Sequence, residues 1–120
     1  MIKFVMCCTR KEGMSRAEFQ DYWKNSHGPF FMKFVEVHKA KKYVQSLTID
    51  TPMNQMLIDS RGMMPEYDGV AEVYFDSVEA FVEAMSSEEG QKLGAALFED
   101  ENNFIDHTKS TAFFVEEHVV

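Results

Sequence analysis

Apolar residues gather in short runs at four places along the chain and recur every three or four residues elsewhere, which separates strands from helices. Residues 2 to 8, Ile-Lys-Phe-Val-Met-Cys-Cys, read as a strand that ends at the charged, glycine-containing turn 9 to 13. Ser15-Arg16-Ala17-Glu18 has the form of a capping box and predicts a helix start. Phe19, Tyr22, Trp23, Ser26, His27, Phe30, Phe31 and Phe34 then form one stripe at spacings of three and four. The stripe crosses His27-Gly28-Pro29, where glycine permits unusual dihedrals and proline restarts a helix, so a break is expected after His27. Residues 40 to 49 read as a second strand, with Tyr43, Leu47 and Ile49 on one face and Val44 opposite, and residues 69 to 75 as a third. Asp76-Ser77-Val78-Glu79 caps a second helix with Val78, Phe81, Val82 and Met85 on its apolar face. A further helical piece runs from Ser86-Ser87 to about Ile105, and residues 110 to 117 supply a last strand. Residues 50 to 68, with two prolines and four methionines, read as a long binding loop or lid.

The order β-α-β-β-α-β is the ferredoxin-like α+β arrangement, an antiparallel sheet with helices on one face, here as one domain over residues 1 to 120. In the third strand Val70 and Tyr74 point one way and Ala71, Val73 and Phe75 the other, so both faces are apolar and only Glu72 interrupts them. A second copy packing sheet to sheet, a homodimer, covers such a face; the 50 to 68 segment is the alternative cover.

Composition narrows the partners. A net charge of −8, spread along the chain, disfavours nucleic acid. No run approaches the roughly 18 to 20 apolar residues of a membrane span, and the opening segment is too short and alternating for a secretory signal, so the expectation is a cytoplasmic protein away from membranes. Cys7 and Cys8 are strand neighbours with side chains on opposite faces, unsuited to pairing with each other. With no Cys-x-x-Cys pair, Gly-rich phosphate cradle or Gly-x-Ser-x-Gly elbow, neither a metal nor an organic cofactor is expected.

His27 is the central candidate for chemistry. It follows Trp23 by four residues and Phe19 by eight, on the stripe a helix buries, and an imidazole against an apolar wall is biased toward the neutral base. The alternative is a core histidine held by a main-chain carbonyl. Asp100 and Glu101 fall within the apolar stripe Leu93, Leu97, Phe104 and Ile105, where a carboxylate needs a partner: His27, Arg61 or a turn amide. Glu72 is a second acid or base if it points toward the helices, and a cross-interface pair if it points toward a partner sheet. Tyr67 precedes the third strand as a possible substrate group, whereas Asp68 with Gly69 is turn chemistry. Trp23, Tyr22, Phe30 and Phe104 are expected to line an aromatic pocket, and Arg61 to hold a carboxylate or phenolate. His38, His107 and His118 are assigned no chemistry.

The segments MSRAEFQDYWKNSHGP, YDGVAEVYFDSVEAF, EDENNFID and FFVEEHVV resemble the EthD family along essentially the whole chain. The resemblance implies a dimeric α+β barrel in which His27 is a signature position. The family is named for a locus for ethyl tert-butyl ether breakdown, and similar fungal proteins are associated with dehydration of polyketide anthrones. The expected activity is therefore cofactor-independent acid–base chemistry, of the lyase, dehydratase or isomerase type, on an apolar or aromatic carbonyl compound. In that scheme His27 removes a proton and Asp100, Glu72 or Tyr67 returns one. A non-catalytic binding or accessory dimer is the alternative, and a haem-binding barrel with His27 on iron a weaker one.

Overall fold

The computed structural model describes residues 1–120. Strand β1 (Ile2–Cys8) leads through a turn to Ser15, whose hydroxyl accepts the Glu18 amide at 3.1 Å while the Glu18 carboxylate accepts the Ser15 amide at 2.9 Å. This reciprocal cap starts α1 (Arg16–Tyr22), which passes into a π-helical turn (Trp23–His27) and then α2 (Gly28–Met32) and α3 (Val35–His38). There follow β2 (Lys42–Leu47), α4 (Pro52–Arg61), β3 (Gly69–Phe75), α5 (Val78–Ser86), α6 (Glu88–Glu101), a short 3-10 turn (His107–Lys109) and β4 (Thr111–Val115). Ser77 and Ser87 cap α5 and α6 by accepting the amides of Ala80 and Gly90.

The sheet order is β2-β3-β1-β4 with every neighbour antiparallel, which is the ferredoxin-like α+β topology. Alternation sorts the side chains. Phe4, Met6, Cys8, Tyr43, Ala71, Val73 and Phe75 face the helices, where Phe19, Trp23 and Phe104 are almost wholly buried. Burial of each of these three rings is worth about 1.5–3 kcal/mol or more. The opposite face carries Val5, Val44, Val70, Tyr74 and Phe113, and no helix lies over it. The molecule is a slab of 45 × 38 × 22 Å, its short dimension spanning one sheet and one helical layer. No helix is long and apolar enough to cross a membrane.

Four local expectations are corrected. The helix does not break after His27: Gly28 has a helical φ of −57°, and its amide bonds the Trp23 carbonyl five residues back. That carbonyl also accepts the Gln45 side-chain amide of β2 at 2.9 Å, so a side chain enters the helical ladder where the π turn forms. A Cβ on Gly28 would lie 2.7 Å from Gln45 Nε2, so a larger residue there would push that amide away from the Trp23 carbonyl. Ser26, placed on the buried stripe by spacing, is exposed. The 50 to 68 segment contains a helix: Thr51 caps α4, Pro52 occupies its first turn, where a missing N–H costs nothing, and Gly62 closes it in the left-handed region at φ 62°. No residue of α4 is buried, so this segment does not cover the open sheet face. β2 ends at Leu47, leaving Ile49 beyond it and largely exposed.

Candidate active site

Between sheet and helices lies a cavity of about 290 Å³, walled by Met6, Val73 and Phe75 from the strands and by Phe81, Met85 and Phe98 from the helices. Its polar lining is sparse: His27, His38, Tyr43 and Glu101, with the Trp23 indole. A volume near the lower end of small-ligand sites and a largely aromatic wall suit a compact, flat, apolar molecule.

His27 closes the π turn and is 6% exposed. Its Nδ1 lies 2.6 Å from Oδ2 of Asp100 in the last turn of α6, and its ring packs 5.0 Å from that of Phe104. Asp100 Oδ1 accepts the Tyr22 hydroxyl at 2.6 Å, and the Tyr22 oxygen in turn accepts the Asn103 amide at 3.0 Å. Burial pushes the Asp100 carboxyl upward, but the bonds from Tyr22 and His27 outweigh it and hold its pKa below the usual aspartate value. Donating to Asp100, with some burial, raises Tyr22, so the phenol keeps its proton. An ionised Asp100 can only accept, which places the His27 hydrogen on Nδ1 and the lone pair of the neutral ring on Nε2. Nε2 has no partner within the chain, yet no sealed side-chain nitrogen or oxygen lacks one. The free nitrogen is therefore accessible, on a residue that lines the cavity. An oriented imidazole with a bare, accessible nitrogen can take a proton from a bound molecule, and a carboxylate on its other nitrogen can stabilise the imidazolium that results.

The cavity holds no activated nucleophile. Cys8 lines it, but burial pushes its thiol up to about 12. His38 is satisfied on both nitrogens: Nε2 donates to the Phe31 carbonyl at 2.9 Å and Nδ1 accepts the Ala40 amide at 3.0 Å. The core histidine held by a carbonyl, one of the two readings offered for His27, is thus realised at His38. Burial lowers the His38 pKa accordingly.

Of the other candidates, Trp23 lines the cavity, while Asp100, Tyr22 and Phe104 stand behind His27. Four lie elsewhere. Glu72 is on the open sheet face, 2.5 Å from Lys3 Nζ, because strand alternation turns it away from Ala71 and Val73. Tyr67 precedes β3, where its carbonyl accepts the Thr48 hydroxyl at 2.6 Å, beside a separate polar depression. Arg61 is exposed at the end of α4 and bonds Ser60. Phe30 meets Phe34 edge-on at 5.4 Å, outside the cavity lining. Asp68 does more than turn the chain: buried, it accepts the Arg10 amide at 2.7 Å, Arg10 Nη1 at 2.7 Å and Arg16 Nε at 2.9 Å. Sequence reasoning did not single out Tyr43 as a site residue, although its place on the Leu47 face of β2 was the signal. Glu101, recognised in the helical stripe, reaches the cavity and bonds His107 Nε2 at 2.9 Å.

The side chains do not suit larger groups. No three of His, Cys, Asp and Glu converge as a metal set. Haem fits poorly, since no Lys or Arg lines the cavity to meet its propionates, Glu101 would repel them, and the space is small for a macrocycle.

An antiparallel ferredoxin-like sheet under a helical layer, with a histidine–carboxylate pair at the cavity between them, defines the class. Residues 11–108 match the EthD domain, and the chain belongs to the EthD family. Its fold is shared by an EthD family protein from Bacillus halodurans, at 20% identity, with 98% of this chain and 99% of that one covered and a TM-score of 0.66. An Arabidopsis thaliana protein aligns at 15% identity over 100% and 98% of the two chains, with a TM-score of 0.61. A dimeric protein of unknown function and ferredoxin-like fold from Bacteroides fragilis aligns at 9% identity over 97% and 95%, with a TM-score of 0.59. Sequence comparison with curated proteins gives no match.

Proposed function

We propose that the protein is a cofactor-independent acid–base enzyme, of the lyase or isomerase type, acting on a compact apolar or aromatic carbonyl compound. The observation that carries this reading is the His27 ring, which lines the apolar cavity and is fixed through Nδ1 by Asp100, leaving an accessible Nε2 without a partner in the chain. Removing a proton from the carbon next to a carbonyl needs a positioned base and a site that excludes bulk water, and both are supported here. The active form is a homodimer joined through the open sheet faces. That assembly is supported by their apolar residues and by the dimeric ferredoxin-like relative. Two unpaired cysteines fit a reducing, cytoplasmic setting.

The test uses 2-tetralone in deuterated buffer, with exchange at its C1 position followed by NMR. The wild type is expected to accelerate exchange, and His27→Ala to slow it by about 10²-fold or more. Equal rates in the two proteins contradict the proposal. Binding of the ketone without exchange favours the non-catalytic reading, a binding or accessory protein.

A further inference from the structure

Tyr43 is the other polar group on the cavity wall whose bonding is incomplete in a directed way. Its oxygen accepts the Trp23 indole N–H at 2.9 Å and the Gln45 amide at 3.4 Å. A phenol has two acceptor sites and one hydrogen, and these two donors occupy both acceptor sites. The hydrogen has no acceptor in the chain. The donors that fill the lone pairs also fix which way the O–H is free to turn, away from Trp23 and Gln45.

The arrangement is over-determined by its surroundings. Gln45 serves both the Trp23 carbonyl, at the start of the π turn, and the Tyr43 oxygen, so one side chain couples β2 to the turn that ends in His27. Trp23 is 1% exposed and cannot swing away, and Phe31 packs edge-on against the Tyr43 ring at 5.0 Å. Base and phenol therefore belong to one framework. Hydrogen bonds donated into an O–H oxygen also make that O–H a stronger donor.

We infer that Tyr43 is a catalytic residue: its hydroxyl donates to the carbonyl oxygen of the bound molecule while His27 Nε2 takes a proton from the adjacent carbon. This rests on the acid–base reading above. The step balances without a co-reactant. The C–H electron pair becomes the carbon–carbon π bond of the enolate, the carbonyl π pair moves to oxygen, and the proton resides on Nε2. Tyr43 stabilises the charge on oxygen by hydrogen bonding and retains its own proton. Return of the proton from Nε2 to the same or another carbon regenerates the base. The ligand class follows: a ketone or related carbonyl compound with an acidic neighbouring C–H and an aromatic or otherwise flat body.

The test has two readouts on 2-tetralone: its carbonyl stretching frequency when bound, by infrared difference spectroscopy, and its C1 deuterium exchange. The expected result is a bound carbonyl band at lower wavenumber than in hexane for the wild type. The displacement should be lost in Tyr43→Phe, with exchange slowed by about 10²-fold, the usual effect of removing one such donor. A bound carbonyl at its hexane frequency in the wild type overturns the assignment without any variant, as does an unchanged band in Tyr43→Phe. Loss of the band displacement in Tyr43→Phe, with no exchange by the wild type, supports Tyr43 as the carbonyl donor and removes only the role given to His27. Exchange that depends on His27 but not on Tyr43 overturns the Tyr43 role alone. Failure of 2-tetralone to bind the wild type overturns both.

Discussion

His27 differs from the other histidines in what its ring nitrogens meet. His38 is closed on both nitrogens by main chain, His107 lies outside the cavity lining with Nε2 on Glu101, and His27 lines the cavity with Nδ1 on Asp100 and Nε2 without a partner. Asp100 makes that difference, and its ionisation has a consequence for stability. Its pKa is depressed in the folded state, against about 3.9 in an unfolded chain, so the stabilisation is complete above that value and fades as pH falls through the lower folded value. Asp100→Asn should therefore destabilise the protein at pH 6 more than at pH 3, as read by urea unfolding at each pH. An equal loss at both would show that the carboxylate charge contributes nothing. The His27 position on the buried stripe was legible from spacing, and Asp100 stood among its candidate partners. Their meeting was not, because 73 residues separate them and only the packing of α6 against the π turn brings them to 2.6 Å.

Elements were read more accurately than their joints. The four strands form in the expected order, with β2 and β4 shorter than read, and the serine caps are where capping chemistry put them. The π turn left no periodic trace, since spacings of four satisfy both helix types over so short a stretch, and it depends on Gln45 from another element. α4 was missed because it has no buried face to impose a period; its proline sits at the start, where a helix tolerates it. The joint between the turn and the sheet carries its own prediction. Gly69 at the start of β3 lies under the Trp23 indole, and a Cβ there would fall 2.5 Å from Trp23 Cζ3. Gly69→Ala should cost about 1–3 kcal/mol by overpacking, because the indole is buried and bonded to Tyr43. A urea midpoint equal to that of the wild type would mean the turn is not held against β3.

The molecule as a whole is wider than a compact chain of its length. Its radius of gyration is 15.4 Å, against about 13.6 Å expected for 120 residues. α4 projects with Met53, Met56 and Leu57 exposed, and the open sheet face has no cover. The alternating pattern of β3 announced a second apolar face, but a single chain cannot say what meets it. The Lys3–Glu72 pair sits at the centre of that face, where its neutralised charges suit closure by a second sheet. Phe113→Glu, on the same face, should convert a dimer to a monomer in sedimentation experiments, and an unchanged sedimentation coefficient would place any interface elsewhere.

What the chemistry requires is a bare His27 Nε2 open to the cavity. Nitrogen-15 NMR of the histidine rings reads this without assuming a substrate: in the neutral ring, Nδ1 should carry the hydrogen and Nε2 should show the shift of an unprotonated nitrogen that moves when 2-tetralone is added. A hydrogen on Nε2, or an Nε2 signal indifferent to the ketone, would contradict the account.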